Sequence, residues 1–205
     1  MSNETGEIML SVFGAPKVGK SALTVRLLTK RFIGEYDSSS VSTYRGEIRH
    51  EAGETLKFSI LDYPANLKEF TPSLLNSCDC CVVVYSITDS NSFNEAINYV
   101  QTISEFRDSE NSEVIILLLG NKRDLVGARK VTYEEGKSVA ARLDCVFFEV
   151  SAAEDYFNVQ TVFKELLLQV RKTRLAEKRQ RKLSAKKKAV NKLFGFGGRT
   201  RSGTL

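Results

Sequence analysis

Eight consecutive residues near the start of the chain, Gly14-Ala15-Pro16-Lys17-Val18-Gly19-Lys20-Ser21, satisfy the pattern G-x-x-x-x-G-K-S, which suits a chain of phosphates. Glycines let the backbone turn its N–H groups inward around an anion, and a helix opening at the end of the loop adds the positive end of its dipole. Lys20 then reaches the terminal phosphates as a point charge, and the Ser21 hydroxyl is placed to ligate Mg²⁺. Val18, Gly19 and Ala22 complete the expected phosphate set, with Lys17 either leaning toward the phosphates or pointing into water. Pro16 is unusual here, because it has no N–H to donate and a fixed φ.

A second group reads a base. Asn121-Lys122-Arg123-Asp124 follows directly on an apolar run ending at Gly120, which puts it at the carboxyl end of a strand, where ligands of α/β sheets bind. Asp124 can accept two hydrogen bonds from the N1–H and 2-amino group of guanine, a pattern adenine does not offer. Asn121 and the stem of Lys122 hold the loop and cover the ring. Ser151-Ala152-Ala153, past the next apolar run, can supply backbone N–H groups to guanine O6. N-K-x-D alone is a weak match, but after a phosphate loop and a strand it specifies GTP or GDP. An ATP-using enzyme is disfavoured by Asp124 and by the lack of a substrate domain.

Positioning these loops requires strands that end at them. Ile8 to Phe13, Cys80 to Tyr85, Val114 to Leu119 and Val146 to Val150 are short and nearly continuously apolar, as strands covered on both faces tend to be. Tyr44 to His50 and Thr55 to Leu61 flank Glu51-Ala52-Gly53-Glu54 and read as an antiparallel hairpin. Helical spacing marks Ser21 to Thr29, Phe93 to Phe106 and Val159 to Val170, each with one apolar stripe. The implied fold is α/β, a mostly parallel six-stranded sheet with one antiparallel edge strand and helices on both faces.

Composition agrees with one domain and an appendage: 205 residues, 42% hydrophobic and 27% charged. The longest apolar runs fall far below the roughly 18 residues of a membrane span, and the first residues lack a signal-peptide pattern, so an intracellular chain is expected. Cys78, Cys80, Cys81 and Cys145 are too few for a disulfide framework and are expected as thiols. C-x-C-C with the single His50 lacks zinc-ligand spacing, and no hydrolase triad is visible.

With both nucleotide motifs in place, the chain resembles the Ras superfamily of small GTPases over residues 7 to 172. Arg31 to Asp37, Thr43-Tyr44-Arg45 and Phe147 to Ala152 are similar to the Ras branch, nearest its growth-inhibitor-like and Ras-like members without a lipid anchor. The resemblance implies a P-loop NTPase G domain in which Phe32 stacks on the guanine edge and Tyr36 and Ser39 lie in the first switch. Ser39 stands where Ras proteins place a threonine, and its hydroxyl reaches Mg²⁺ and its N–H the γ-phosphate. Asp62 is implied to orient a Mg²⁺-bound water.

The second switch departs from D-x-x-G-Q, reading Asp62-Tyr63-Pro64-Ala65-Asn66. Ala65 replaces the glycine whose N–H meets the γ-phosphate. Asn66 takes the place of the water-positioning glutamine, with its amide one carbon–carbon bond, about 1.5 Å, nearer its own backbone. Lys20 and Asn66 are the catalytic residues this implies, the latter degenerate. The expected function is a GTP/GDP switch in signalling with slow hydrolysis, the alternative a catalytically inactive GTP-bound scaffold. Ser40, Val41 and Ser42 stand where Ras proteins carry acids that meet effectors, so the shared Ras effectors are not expected as partners. Exchange factors and effectors are otherwise unspecified, and the domain is expected to act as a monomer.

The charge changes sign along the chain. Residues 171–205 hold 13 bases and one acid, Glu177, a net +12, leaving −7 for residues 1–170. Three segments follow: a flexible N-terminus 1–6, the domain 7–172, and a basic, flexible tail 173–205. The tail has no cysteine for prenylation, and Ser2 excludes N-myristoylation, so no lipid anchor is expected. Its two basic clusters suit reversible contact with an anionic membrane, recognition by an importin, or neither. The expected location is cytoplasmic, with nucleus and inner membrane face open.

Overall fold

The computed structural model describes residues 6–32, 40–50, 53–64, 74–75, 78–110 and 112–193. Tyr36, Ser39, Ala65 and Asn66 lie outside the described residues, as do the N-terminal segment 1–5 and the tail from 194 onward.

The apolar runs are strands: β1 (Ile8–Phe13), β2 (Ser42–Arg49), β3 (Thr55–Asp62), β4 (Cys80–Ser86), β5 (Ile115–Asn121) and β6 (Val146–Glu149). They form one sheet in the order β2-β3-β1-β4-β5-β6. β2 is antiparallel to β3, and every other pairing is parallel. All of β4 is buried, which explains its unbroken apolarity in the centre of a sheet covered on both faces. β2, at the edge, alternates instead, with Tyr44, Gly46 and Ile48 less exposed than Thr43, Arg45, Glu47 and Arg49.

Helices cover both faces. Leu23 and Leu27 of α1 (Lys20–Thr29), with Val159, Phe163 and Leu167 of the last helix, join a core that includes Leu10, Val82 and Leu117. On the other face, Phe93, Val100 and Ile103 of α2 (Ser90–Glu110) and Ala140 of α3 (Tyr133–Arg142) join Cys81, Val83 and Leu118. A fully buried large apolar side chain contributes about 1.5–3 kcal/mol. A helix as short as α1 is therefore held by its stripe more than by its propensity.

α3 has too weak an apolar stripe to be announced by periodicity. What starts it is a capping box: the Glu135 N–H donates to Thr132 Oγ1 at 3.2 Å while the Thr132 N–H donates to the Glu135 carboxylate at 2.7 Å.

The chain divides into two compact units, Met1–Val170 and Arg171–Leu205. The last helix, α4, runs over Tyr156–Leu193, so it continues through residues 171–193. The reason is composition. Residues 156–193 contain no glycine or proline and are rich in lysine, arginine, leucine and alanine, which are strong helix formers. Within that segment Glu177 and Arg181 pair at 3.5 Å across one turn. No helix among the described residues is long and apolar enough to cross a membrane.

Candidate functional site

Five of the six strands run parallel, so β1, β3, β4, β5 and β6 end at one edge of the sheet. The loops that follow β1, β5 and β6 meet around an open cleft of about 480 Å³. Lys17, Gly19, Lys20, Ser21 and Ala22 line it, together with Phe32, Asn121, Lys122, Asp124, Ser151, Ala152 and Ala153. Leu125 lines it as well, a residue the motif reading missed although it directly follows Asp124. Gly14, Val18 and Asp62 do not belong to the lining but stand behind it, bonded to or packed on residues that do.

Gly14 and Gly19 are required by both conformation and space. Their φ angles are 139° and 97°, and a Cβ would meet the Val84 carbonyl oxygen at Gly14 and the Asn121 side-chain amide at Gly19. Lys17 takes a φ of 62° without being glycine and is exposed. Gly19 caps α1 with no side-chain bond, leaving the first-turn N–H groups free to receive an anion.

Lys20 is buried. Its Nζ donates to the carbonyl oxygens of Gly14 at 2.8 Å and Ala15 at 3.0 Å, so the ammonium is held under the loop. Burial lowers its pKa, with Asp62 opposing. Asp62 pairs with Val12 at the end of β1, and its Oδ2 accepts from Ser21 Oγ at 2.6 Å. Burial raises the Asp62 carboxyl, against the Ser21 hydrogen bond and the Lys20 charge. Its other oxygen, Oδ1, is buried with no partner among the described residues. An unpartnered buried acceptor costs about 1–3 kcal/mol. A water on a bound Mg²⁺ is the donor this oxygen lacks, and Mg²⁺ retains waters beside few protein ligands. Ser21 and Asp62 thus fit that ion.

Asn121 joins the two halves of the cleft. Its Nδ2 donates to the Val18 carbonyl at 2.8 Å and its Oδ1 accepts from the Ala152 N–H at 3.1 Å. Lys122 follows with a φ of 65°, turning the chain so that Asp124 is exposed at the cleft. The loop after β6 differs from expectation in one respect. The Ala153 and Glu154 N–H groups donate to Ser151 Oγ, both at 3.1 Å, and the Ala152 N–H is taken by Asn121. Of the three backbone N–H groups expected at guanine O6, those of Ala152 and Ala153 therefore have partners within the protein, Asn121 and the Ser151 hydroxyl.

This arrangement of glycine cradle, buried lysine, serine–aspartate pair and asparagine bridge has a family counterpart. The sequence model of the Ras family matches residues 9–172. The chain belongs to the Ras family. It is 37% identical over 195 residues to human Ras-related and estrogen-regulated growth inhibitor, spanning 93% of this chain and 96% of that protein. It is 38% identical over 198 residues to Ras-related and estrogen-regulated growth inhibitor-like protein of Bos taurus, spanning 92% and 96%. Human Ras-like protein family member 12 is 38% identical over 170 residues, spanning 81% of this chain and 62% of the relative. The fold is accordingly a Ras-family G domain, a guanine-nucleotide-binding domain of the P-loop kind. Phe32, 48% exposed beside the cleft of this Ras-family domain, is free to lie against a planar ring.

Proposed function

We propose that this chain is a Ras-like switch that binds GTP and GDP firmly with Mg²⁺ and hydrolyses GTP more slowly than Ras. The observation that carries this reading is a contrast within one site. The groups that would grip the nucleotide, Gly19, Lys20, Ser21, Asn121 and Asp124, are present, and Lys20, Ser21 and Asn121 are held in place by hydrogen bonds to Gly14, Asp62 and Val18. The positions that would face the γ-phosphate and the attacking water carry Pro16, Pro64, Ala65 and Asn66. Mg²⁺, when bound, supplies positive charge at the phosphates. Lys20 adds a fixed cation, and Asp62 and Ser21 orient the ion's surroundings.

Ras itself turns over at roughly 10⁻⁴ s⁻¹ unaided, and a further tenfold loss needs only about 1.4 kcal/mol of misplaced water or unstabilised charge. With hydrolysis that slow, nucleotide occupancy follows exchange and concentration. Single-turnover hydrolysis by GTP-loaded protein is expected at or below the Ras rate, and to rise in a Pro16→Gly, Asn66→Gln double variant. Turnover faster than Ras in the unmodified protein defeats the proposal. The basic helix 171–193 supports a cytoplasmic protein that touches anionic membrane reversibly, each nearby base adding about 1 kcal/mol. Equal pelleting with anionic vesicles by full-length protein and a chain ending at Lys172 counts against that.

A further inference from the structure

Three cysteines stand at the start of β4, away from the cleft lining. Cys80 joins the core of one sheet face and Cys78 and Cys81 that of the other, beside Phe13 and Tyr63. The sulfurs of Cys78 and Cys81 are 3.7 Å apart. Cys78 Sγ also lies 2.8 Å from the Cys80 carbonyl oxygen and 3.8 Å from that of Met9. The two cysteines differ in access and in support. Cys78 precedes the strand, its N–H bonded to the Leu75 carbonyl, and keeps 9% exposure, whereas Cys81 is fixed in β4 at 0%. The Cys81 sulfur beside it holds the Cys78 thiol below its ordinary pKa, while burial drives that of Cys81 well above it.

We propose that Cys78 and Cys81 form a dithiol site that hydrogen peroxide or a small hydroperoxide oxidises to an intrachain disulfide. The Cys78 thiolate attacks one peroxide oxygen, the O–O bond breaks, and a sulfenic acid forms with hydroxide, which takes up the proton Cys78 had released and becomes water. The Cys81 sulfur then displaces the sulfenic oxygen. An S–S bond replaces the S–O bond, and the Cys81 proton leaves with that oxygen as a second water. Two thiols have given two electrons to one peroxide. Bringing the sulfurs from 3.7 Å to about 2.05 Å requires movement of Cys78 at its turn and not of β4. Cys80, fully buried on the opposite face, does not compete, and burial pushes the Cys145 thiol up to about 11. In a reducing compartment such a bond is transient and signals oxidant. It ties Cys78 to the central strand.

The test uses full-length, reduced, GDP-loaded protein exposed to dilute hydrogen peroxide, followed by intact mass and thiol titration after denaturation. The expected result is a mass lower by two hydrogens and the loss of two of the four thiols, with alkylation mapping the remaining two to Cys80 and Cys145. Cys80→Ala is expected to behave the same, and Cys78→Ser to lose the effect. Net oxygen addition without hydrogen loss, disulfide-linked dimers, survival of all four thiols, or the same mass loss in Cys78→Ser overturns the proposal. Should Cys78→Ser fail to retain GDP, the map of alkylated cysteines in the parent protein decides alone.

Discussion

Replacing Asn121 with alanine removes the bridge between the phosphate loop and the loop after β6. Two backbone groups lose their partners, the Val18 carbonyl and the Ala152 N–H, on residues that are 1% and 3% exposed. Each such group left unsatisfied costs about 1–3 kcal/mol. Entry of water from the adjoining cleft relieves part of this, so a loss of about 2–4 kcal/mol is expected in nucleotide-free protein. Because both loops line the cleft, GDP should also release at least tenfold faster, about 1.4 kcal/mol of affinity. Asn121→Asp is the sharper variant. It keeps an acceptor for Ala152 but turns an oxygen toward the Val18 carbonyl, and should be no better than alanine although it conserves volume. Urea unfolding with and without GDP reads the first effect, and release of a fluorescent GDP the second. Stability within about 0.5 kcal/mol of the parent, with ordinary GDP retention, would refute the bridging argument.

If Asp124 reads guanine as proposed, Asp124→Ala would remove two charge-assisted hydrogen bonds of about 1.5–3 kcal/mol each, so competition binding should show GDP weakened at least tenfold and its preference over ADP narrowed. Burial raises the Asp62 carboxyl above the ordinary carboxylate value, so the folded chain holds that proton more tightly than the unfolded one. Without Mg²⁺, stability should therefore fall as pH rises from that value through the raised one. Asp62→Asn should flatten this slope in urea titrations in EDTA while speeding loss of Mg²⁺-dependent GTP. Arg129 meets Glu149 through two bonds of 2.8 Å, with the Glu149 side chain only 4% exposed. Breaking such a buried pair costs about 3–5 kcal/mol, and since Arg129 is 22% exposed the low end is expected for Arg129→Ala, measured by thermal or urea unfolding. Adding Glu149→Gln should restore part of that loss.

The strands were legible because burial on both faces writes an unbroken apolar run, as in β4 and β5, and burial on one face writes alternation, as in Leu56, Phe58 and Ile60. α1, α2 and the first part of α4 were legible through their stripes. α3 was not, since it buries only Gly136 and Ala140, and its beginning is set by the Thr132–Glu135 hydrogen bonds. Beyond residue 170 the helix is carried by backbone propensity, through its lysine, arginine, leucine and alanine. At the site, the motifs named the residues without revealing how they are joined. The Ser21–Asp62 and Asn121–Val18 bonds link positions 41 and 103 residues apart, a separation at which no local pattern operates. The Ala152 N–H, one of the donors expected at the base, is likewise taken by Asn121, 31 residues away.

The electrostatics of Lys20 and Asp62 connect this site to the stability of the domain. Both pKa shifts oppose ionisation, and burial is the leading cause of each, so the folded chain holds two charges that water would solvate better. Phosphate oxygens against Lys20 would supply opposite charge and a hydrated cation beside Asp62 Oδ1 the missing donor, and the free energy so released would appear as ligand affinity. Linkage then works in both directions. Nucleotide present at about a thousand times its dissociation constant adds about 4 kcal/mol to the stability of the fold, on the scale of a marginal domain's total. A chain built this way favours remaining occupied, whichever nucleotide it holds. On the proposed reading hydrolysis has no comparable support, its demands falling on positions 16, 65 and 66, which hold Pro, Ala and Asn. Restoring residues 16 and 66 should then change the hydrolysis rate far more than the urea midpoint of the nucleotide-bound protein.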